Sequence, residues 1–393
     1  MRTSTMNPVA GRLAGLLALL AASSAVWAGE FDKYVWETPR VVGIDQAKTA
    51  AMAEILAQEV QKILDAGPLA PLRTAYADIP REAYFSYFER GRIITTLAYA
   101  YPHVTGAQQE GIRKYVQNLL KDPEQAPWTQ GILGRDQGAS RTLSGVRVTE
   151  GDYLKYAPKS TPTVHVLYGL WLYGHRTGDW GTLKDCWPQI KQYYARCVSQ
   201  ETFLYGQMSA HVAIARLAKR FDDTQMQQAA VQALEKDLVA GQDTAGIEQR
   251  QKQTRFGKYY DKRNVGYFAG QPWMFLDASP EILRFIAESA KDQAVQRIGA
   301  IQTRYPLWWL HQAPYFTRWT GDEGVGIPPD LLGICYPIER WVKGTPPDTL
   351  AGYMRSAPTG IGDCYWLESL VQTIEAFGTT KWEPLDLAGR SMN

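Results

Sequence analysis

The chain has 393 residues, of which 42 are Lys or Arg, 40 are Asp or Glu and 12% are aromatic. This balance excludes the strongly basic face that nucleic acid requires and argues against electrostatic docking on an anionic membrane. No Ser/Gly/Pro-rich linker, charge block or low-complexity tract divides the chain, so one large domain is expected from residue 29 to residue 393.

Residues 1–28 read as a signal peptide. A cationic stretch carries Arg2 and Arg12, an apolar run covers Leu13 to Ala22, and Val26 and Ala28 suit cleavage before Gly29. The apolar run is 10 residues long, against the roughly 20 that a membrane span needs. Periplasmic or extracellular placement without a membrane span is therefore expected. Removing Arg2 and Arg12 brings the basic residues from 42 to 40 and leaves the mature chain formally neutral. Four cysteines, Cys186, Cys197, Cys335 and Cys364, are too few for a disulfide scaffold in so long a chain. Cys186 and Cys197 fall on one predicted helix, about 16 Å apart at 1.5 Å per residue, too far to bridge. Cys335 and Cys364 either pair or stand as buried thiols. No Cys/His spacing resembles a zinc site, and no metal or cofactor is expected.

Helical periodicity recurs from end to end, while the alternation and turn dipeptides of hairpins are nearly absent. Twelve helices are predicted, at 44–66, 81–101, 107–120, 163–176, 180–198, 202–220, 223–239, 280–289, 292–304, 329–342, 347–354 and 362–377. Gly67-Pro68 closes the first, and Pro162 stands near the start of the fourth, where a missing N–H is harmless. Gly178 suits the left-handed position after the fourth helix. Asp179 and Asp222 are expected to cap the fifth and seventh. Short turns alternate with long connections at 122–160, 241–278 and 305–327. An all-α (α/α)6 barrel, a toroid of about six helical hairpins, accounts for this rhythm, with the even-numbered helices inside. Val164 to Tyr173 is apolar almost all round, as an inner helix should be, whereas Gln225 to Asp237 is a polar amphipathic strip suited to the outside. An open solenoid is the alternative, although no fixed repeat period is present.

The segment Val166-Leu167-Tyr168-Gly169-Leu170-Trp171-Leu172-Tyr173-Gly174-His175-Arg176-Thr177-Gly178-Asp179-Trp180, followed by Trp187-Pro188-Gln189-Ile190, resembles hairpins of the six-hairpin glycosidase superfamily. The resemblance covers one hairpin and matches no family catalytic motif. It implies a carbohydrate substrate and a cleft where the long loops meet the N-termini of the inner helices. The same barrel hosts hydrolases and lyases, so fold alone leaves the reaction open.

Aromatic residues crowd the segments that would form such a cleft. Tyr84 opens the second helix and Tyr205 the sixth. Tyr267 and Trp273 precede the eighth, Tyr315 and Trp319 the tenth, and Trp366 flanks the twelfth. Flat ring faces stack on the C–H faces of sugars, so these residues are candidate binders of an oligo- or polysaccharide, together with Arg135, Asp261 and Arg263.

Hydrolysis of a glycosidic bond needs one carboxylic acid to protonate the leaving oxygen and a second carboxylate to act on water or on the anomeric carbon. Glu82, Asp136, Glu150, Asp152, Asp261, Asp322, Glu323, Asp330 and Asp363 lie in the right segments. Asp136 sits in Gly134-Arg135-Asp136-Gln137-Gly138, and Asp322-Glu323 lies between Gly321 and Gly324. The first expectation is a secreted glycoside hydrolase with Asp136 facing Asp322 or Glu323, and with residues 135–156, 256–275 and 311–326 converging at one end of the barrel. A polysaccharide lyase is the alternative: His165 or His211, with Tyr260 or Tyr205, would move the proton beside a uronate carboxylate steadied by Arg135, Arg263 or Asn264. A third reading is a glycan-binding toroid without catalysis.

Overall fold

The computed structural model describes residues 29–67, 90–123, 126–130, 141–143, 146–148, 164–198, 204–242, 273–304, 333, 335–354 and 364–386. These residues form a predominantly α-helical fold. In chain order the elements are α1 (Asp32–Trp36), β1 (Glu37–Val42), α2 (Gln46–Ala66), α3 (Arg90–Ala100), α4 (Gly106–Lys121), α5 (Pro127–Gln130), β2 (Arg141–Leu143) and β3 (Val146–Val148). They continue with α6 (His165–Thr177), α7 (Trp180–Asp185), α8 (Trp187–Val198), α9 (Leu204–Arg220) and α10 (Thr224–Gly241). After these come α11 (Pro280–Ser289), α12 (Lys291–Arg304), a π-helical turn (Ile338–Lys343), α13 (Pro347–Tyr353), α14 (Cys364–Ala376) and β4 (Thr379–Pro384).

Local chemistry explains most boundaries. Asp45 caps α2 by accepting from the backbone N–H groups of Ala47 and Lys48, and Gly67 ends it at φ 66°. Thr105 and Gln108 form a reciprocal capping box at the start of α4. Gly178 ends α6 at φ 73°, and Asp179 then caps α7 through the N–H of Thr182. The cap of α10 is Asp223, which accepts from Met226 N, and not Asp222 as the sequence implied. Asp222 takes a left-handed turn at φ 59°, so the helix starts one residue later. The helix expected over 180–198 is broken at Cys186, because Trp187-Pro188 opens a new helix and Pro is harmless only in a first turn. All four cysteines are buried, and no disulfide joins Cys335 to Cys364.

Two antiparallel strand pairs accompany the helices. A short hairpin joins β2 to β3 within the long 122–160 connection. The second pair was not expected: β1 lies against β4, with Glu37 opposite Pro384 and Val42 opposite Thr379, tying residues near the start of the described chain to residues near its end.

Six elements pack in succession. α3 lies against α6, α6 against α9, α9 against α11, α11 against the π-helical turn, and α14 against α3. Tyr336 and Arg340 connect the π-helical segment to α14 through the Thr373 hydroxyl and Glu375. α10 covers α9, α2 contacts α4 and α14, and α12 covers the π-helical turn. One continuous apolar core runs through these contacts. Val166 to Gly174 is buried without a break, so α6 has neighbours on all sides. No helix among the described residues is long and apolar enough to cross a membrane.

α3 and α6 approach most closely at Gly169. A Cβ there would stand 2.1 Å from the Thr95 hydroxyl and 2.9 Å from the Thr95 Cα. Gly169→Ala gains about 1 kcal/mol of helix propensity but must push two helix backbones apart, a strain of roughly 3 kcal/mol. A net loss of about 2 kcal/mol is expected by urea unfolding. A stabilised variant would show that the two helices do not meet at this residue.

Candidate functional site

A pocket lies among α3, α6, α14, the π-helical turn and the residues that lead into α11. The helices around it run in parallel: Arg92 and Glu368, early in α3 and α14, meet at one end, while Arg176 and Glu375, late in α6 and α14, meet at the other. Glu368 and Glu375 are seven residues apart, about 10 Å of helix rise. The first end, called the mouth, is therefore made from residues near helix N-termini. β1 lines the pocket through Thr38, Pro39 and Val41, beside Arg340 and Trp341 at the second end.

The mouth holds a buried ionic network. Arg92 donates through Nη1 to Asp277 Oδ1 at 2.6 Å and through Nη2 to Glu368 Oε2 at 2.9 Å. Its guanidinium lies 3.7 Å from the centre of the Tyr365 ring. Thr96 donates to the other oxygen of Glu368 at 2.7 Å. His165 Nδ1 meets Asp277 Oδ2 at 3.2 Å. Asp277 sits at φ 63°, a left-handed conformation that only Gly, Asn and Asp adopt at small cost. Burial alone would raise its pKa, but the His165 and Arg92 charges outweigh burial and hold it at about 2. Asp277 is thus an ionised carboxylate at any ordinary pH. Burial also opposes the charge on Arg92, yet Glu368, Tyr365 and Asp277 keep its pKa well above the usual value.

Halfway along, Tyr168 donates to Glu281 Oε2 at 2.9 Å, and Glu281 Oε1 pairs with Arg216 Nη1 at 2.8 Å. Burial, reinforced by Glu281, lifts the Tyr168 hydroxyl well above the ordinary range, so it remains protonated. At the second end Glu375 accepts from Arg340 Nη1 at 3.0 Å, lies 3.7 Å from Arg176 Nη2 and meets His103 Nε2 at 3.3 Å. Burial opposes ionisation of Glu375, but Arg340, His103 and Arg176 keep its pKa far below the carboxylate range.

His175 also lines the pocket and stacks on Trp171, with centroids 5.0 Å apart. Burial, then Arg176 and Arg216, push its pKa down to about 3. Because the folded value lies below the unfolded one, near 6.5, the unfolded chain binds more protons between the two. The contribution is complete above about pH 6.5 and fades as pH falls towards 3. Between pH 7 and pH 5 the native protein is expected to lose about 2 kcal/mol through this residue. Urea unfolding of wild type and His175→Gln at the two pH values measures it, and parallel losses in both proteins would contradict the assignment.

Of the residues chosen from the sequence, His165 reaches the mouth. His211 does not line the pocket: Tyr194 OH meets its Nδ1 at 2.6 Å and Asp237 Oδ2 its Nε2 at 3.2 Å, between α8 and α10. Tyr205 donates to the Gly241 carbonyl at 3.1 Å and stacks flat on Phe275, with centroids 5.4 Å apart, as a buried support. Trp366 is buried in the core on α14. Trp273 opens the 3₁₀ turn Trp273–Phe275 that leads to Asp277. Asp136, Asp322, Glu323, Tyr260, Arg135, Tyr84, Asp261, Arg263, Tyr267, Tyr315 and Trp319 lie outside the described residues, as do most of the segments expected to converge.

Arg92, Asp277 and Glu368 were missed. Asp277 reads in sequence as a turn residue before Ser279-Pro280. Glu368 and Glu375 carried a readable signal: two carboxylates two helical turns apart on an otherwise apolar helix demand buried partners. No protein-family model matches the chain, and no curated protein or solved structure shows significant similarity to it.

Proposed function

We propose that this chain is an exported carbohydrate-active enzyme built as a ring of six helical hairpins, with His165 at the pocket mouth as its proton-transfer group. The succession α3, α6, α9, α11, π-helical turn, α14 and back to α3 supports the ring. The observation that carries the chemistry is the His165–Asp277–Arg92–Glu368 network. Both carboxylates face Arg92, and Asp277 is ionised, which does not suit it for the protonated acid of hydrolysis. Imidazole is the side chain there whose ordinary chemistry is proton exchange. Asp277 fixes the ring orientation by bonding Nδ1, and Nε2 is the nitrogen proposed to carry the proton.

This favours elimination beside a uronate carboxylate. His165 takes the proton next to the carboxylate, the C–H electron pair becomes a C=C bond, the glycosidic C–O bond breaks with its electron pair on the leaving oxygen, and that oxygen takes its proton from the imidazolium or from water. Helix N-termini around the mouth supply positive potential for the developing charge. Hydrolysis by Asp136 with Asp322 or Glu323 is the second reading, favoured by their Gly-flanked loops.

The experiment is a screen of neutral and acidic polysaccharides, read by absorbance near 235 nm and by new reducing ends. Elimination gives both signals, because it leaves an unsaturated uronate. Reducing ends without absorbance would establish hydrolysis instead. Binding without turnover would identify a glycan-binding ring, and no response at all would reject the carbohydrate assignment.

A further inference from the structure

We propose that the second end of the pocket is a separate carboxylate subsite, formed by Arg340 and Gln372, for a sugar residue beyond the one that reacts. This deepens the reading above and rests on the pocket being the glycan site. Arg340 is 6% exposed at its side chain and lines the pocket. Its Nη1 is held by Glu375 and its guanidinium lies 4.4 Å from the Trp341 ring centre, so the plane is fixed. Its Nη2 is buried and has no hydrogen-bond partner among the described residues, and the same holds for Gln372 Oε1. Both side chains line the same cavity.

A buried charged donor without a partner is costly, so such an atom in a pocket marks a place where a ligand atom belongs. Charge says which kind. Arg340 and Arg176 share one carboxylate, Glu375, so this end carries an excess of positive charge. The mouth differs, because there Asp277 and Glu368 share Arg92. A carboxylate oxygen accepts from Nη2 in the direction the fixed plane dictates, and a neighbouring sugar hydroxyl reaches the Gln372 amide. Gln372 lies about 6 Å of helix rise beyond Glu368, and Glu375, which holds Arg340, about 10 Å beyond it, so the Arg340 fork stands too far along to steady the carboxylate beside the proton that His165 removes. It selects a glycan with acidic residues in sequence.

The test uses the full mature chain with three probes: formate, a di-uronate, and a neutral disaccharide of the same linkage. Binding is read by calorimetry and by the rise in melting temperature that a native-state ligand produces. Wild type is expected to bind the di-uronate at least tenfold more tightly than the neutral disaccharide, and to be stabilised by formate. Gln372→Glu brings an internal carboxylate into the cavity that Arg340 lines. It is expected to abolish the formate response and weaken di-uronate binding at least tenfold, with a smaller loss for the neutral disaccharide, which forfeits only the hydroxyl contact to the Gln372 amide. Arg340→Lys, which retains the charge but loses the fork, should fall between the two. Formate stabilisation that Gln372→Glu removes, without binding of either sugar, would keep the subsite and discard the carbohydrate reading. Equal affinity for acidic and neutral disaccharides, no formate response in wild type, or unchanged acid binding in Gln372→Glu would each overturn the subsite.

Discussion

Arg216→Met is expected to lower the free energy of unfolding by about 5 kcal/mol. Arg216 and Glu281 are both 0% exposed at their side chains, with 2.8 Å between Nη1 and Oε1. Arg216 Nε also donates to the Val35 carbonyl at 2.6 Å and Nη2 to the Glu37 carbonyl at 2.7 Å, while the guanidinium lies 4.1 Å from the Trp171 ring centre. Methionine fills most of the volume, so the loss is electrostatic and not a cavity effect. It leaves a buried carboxylate with Tyr168 as its remaining donor among the described residues, and it frees two carbonyls of the α1–β1 segment. Removing one partner of a buried ion pair typically costs 3–5 kcal/mol, and unpaired carbonyls add to that. Arg216→Met combined with Glu281→Gln should be less destabilised than the two single losses added together, because the stranded charge is gone. Faster amide exchange should appear first in β1 and β4, which Arg216 helps to hold on the helices. A loss below about 1 kcal/mol would mean that the pair is not buried as described.

The helical elements were legible because their ends carry chemistry that acts locally. Gly178, Asp179, Thr105 and Pro280 set boundaries through their own backbone preferences and nearest neighbours, so α4, α6 and α11 begin and end within a residue or two of expectation. The β1–β4 pair was illegible for the opposite reason. Each strand is six residues long and contains a proline, and the partners lie more than 300 residues apart. Neither strand has a turn beside it to announce the pairing. His165 was legible at the mouth as a lone histidine at the start of an apolar helix. Asp277 was not, because its role depends on a left-handed turn and on Arg92, 185 residues earlier. The preference for loop acids rested on Gly-flanked loops leading to inner helices, and those acids lie outside the described residues. At this mouth the charged groups belong to helices, or to the turn just before one, and are buried with their partners. Position in the chain does not reveal a buried ion network, but an acid or a base interrupting an apolar helix face does. Arg92, Glu368 and Glu375 all satisfy that test.

On a verified glycan substrate, His165→Gln is expected to lower kcat by roughly 10²–10⁴, the usual worth of a positioned proton-transfer group. Glutamine retains a polar atom near Asp277, so the Arg92 network survives and KM should change little. The pH dependence separates catalysis from support. If His165 moves the proton, the limb of the kcat/KM profile that belongs to imidazole disappears in His165→Gln, leaving a shallow residual rate. Asp277→Asn is a different experiment, because Asp277 acts through the imidazole and touches no reacting atom. Its loss removes the charge that fixes the His165 ring, so kcat should fall while the limb persists with a displaced midpoint. Asparagine also leaves Arg92 with Glu368 alone, and matched unfolding curves are needed to show that the fall in rate is not a fall in folded protein. Tyr205→Phe and His211→Gln serve as comparisons. Their hydroxyl and imidazole face Gly241, Tyr194 and Asp237, so each should cost stability and leave the kcat/KM profile in place. If His211→Gln removes the limb and His165→Gln does not, the proton-transfer group is on the wrong histidine and the mouth of the pocket is not where the chemistry occurs.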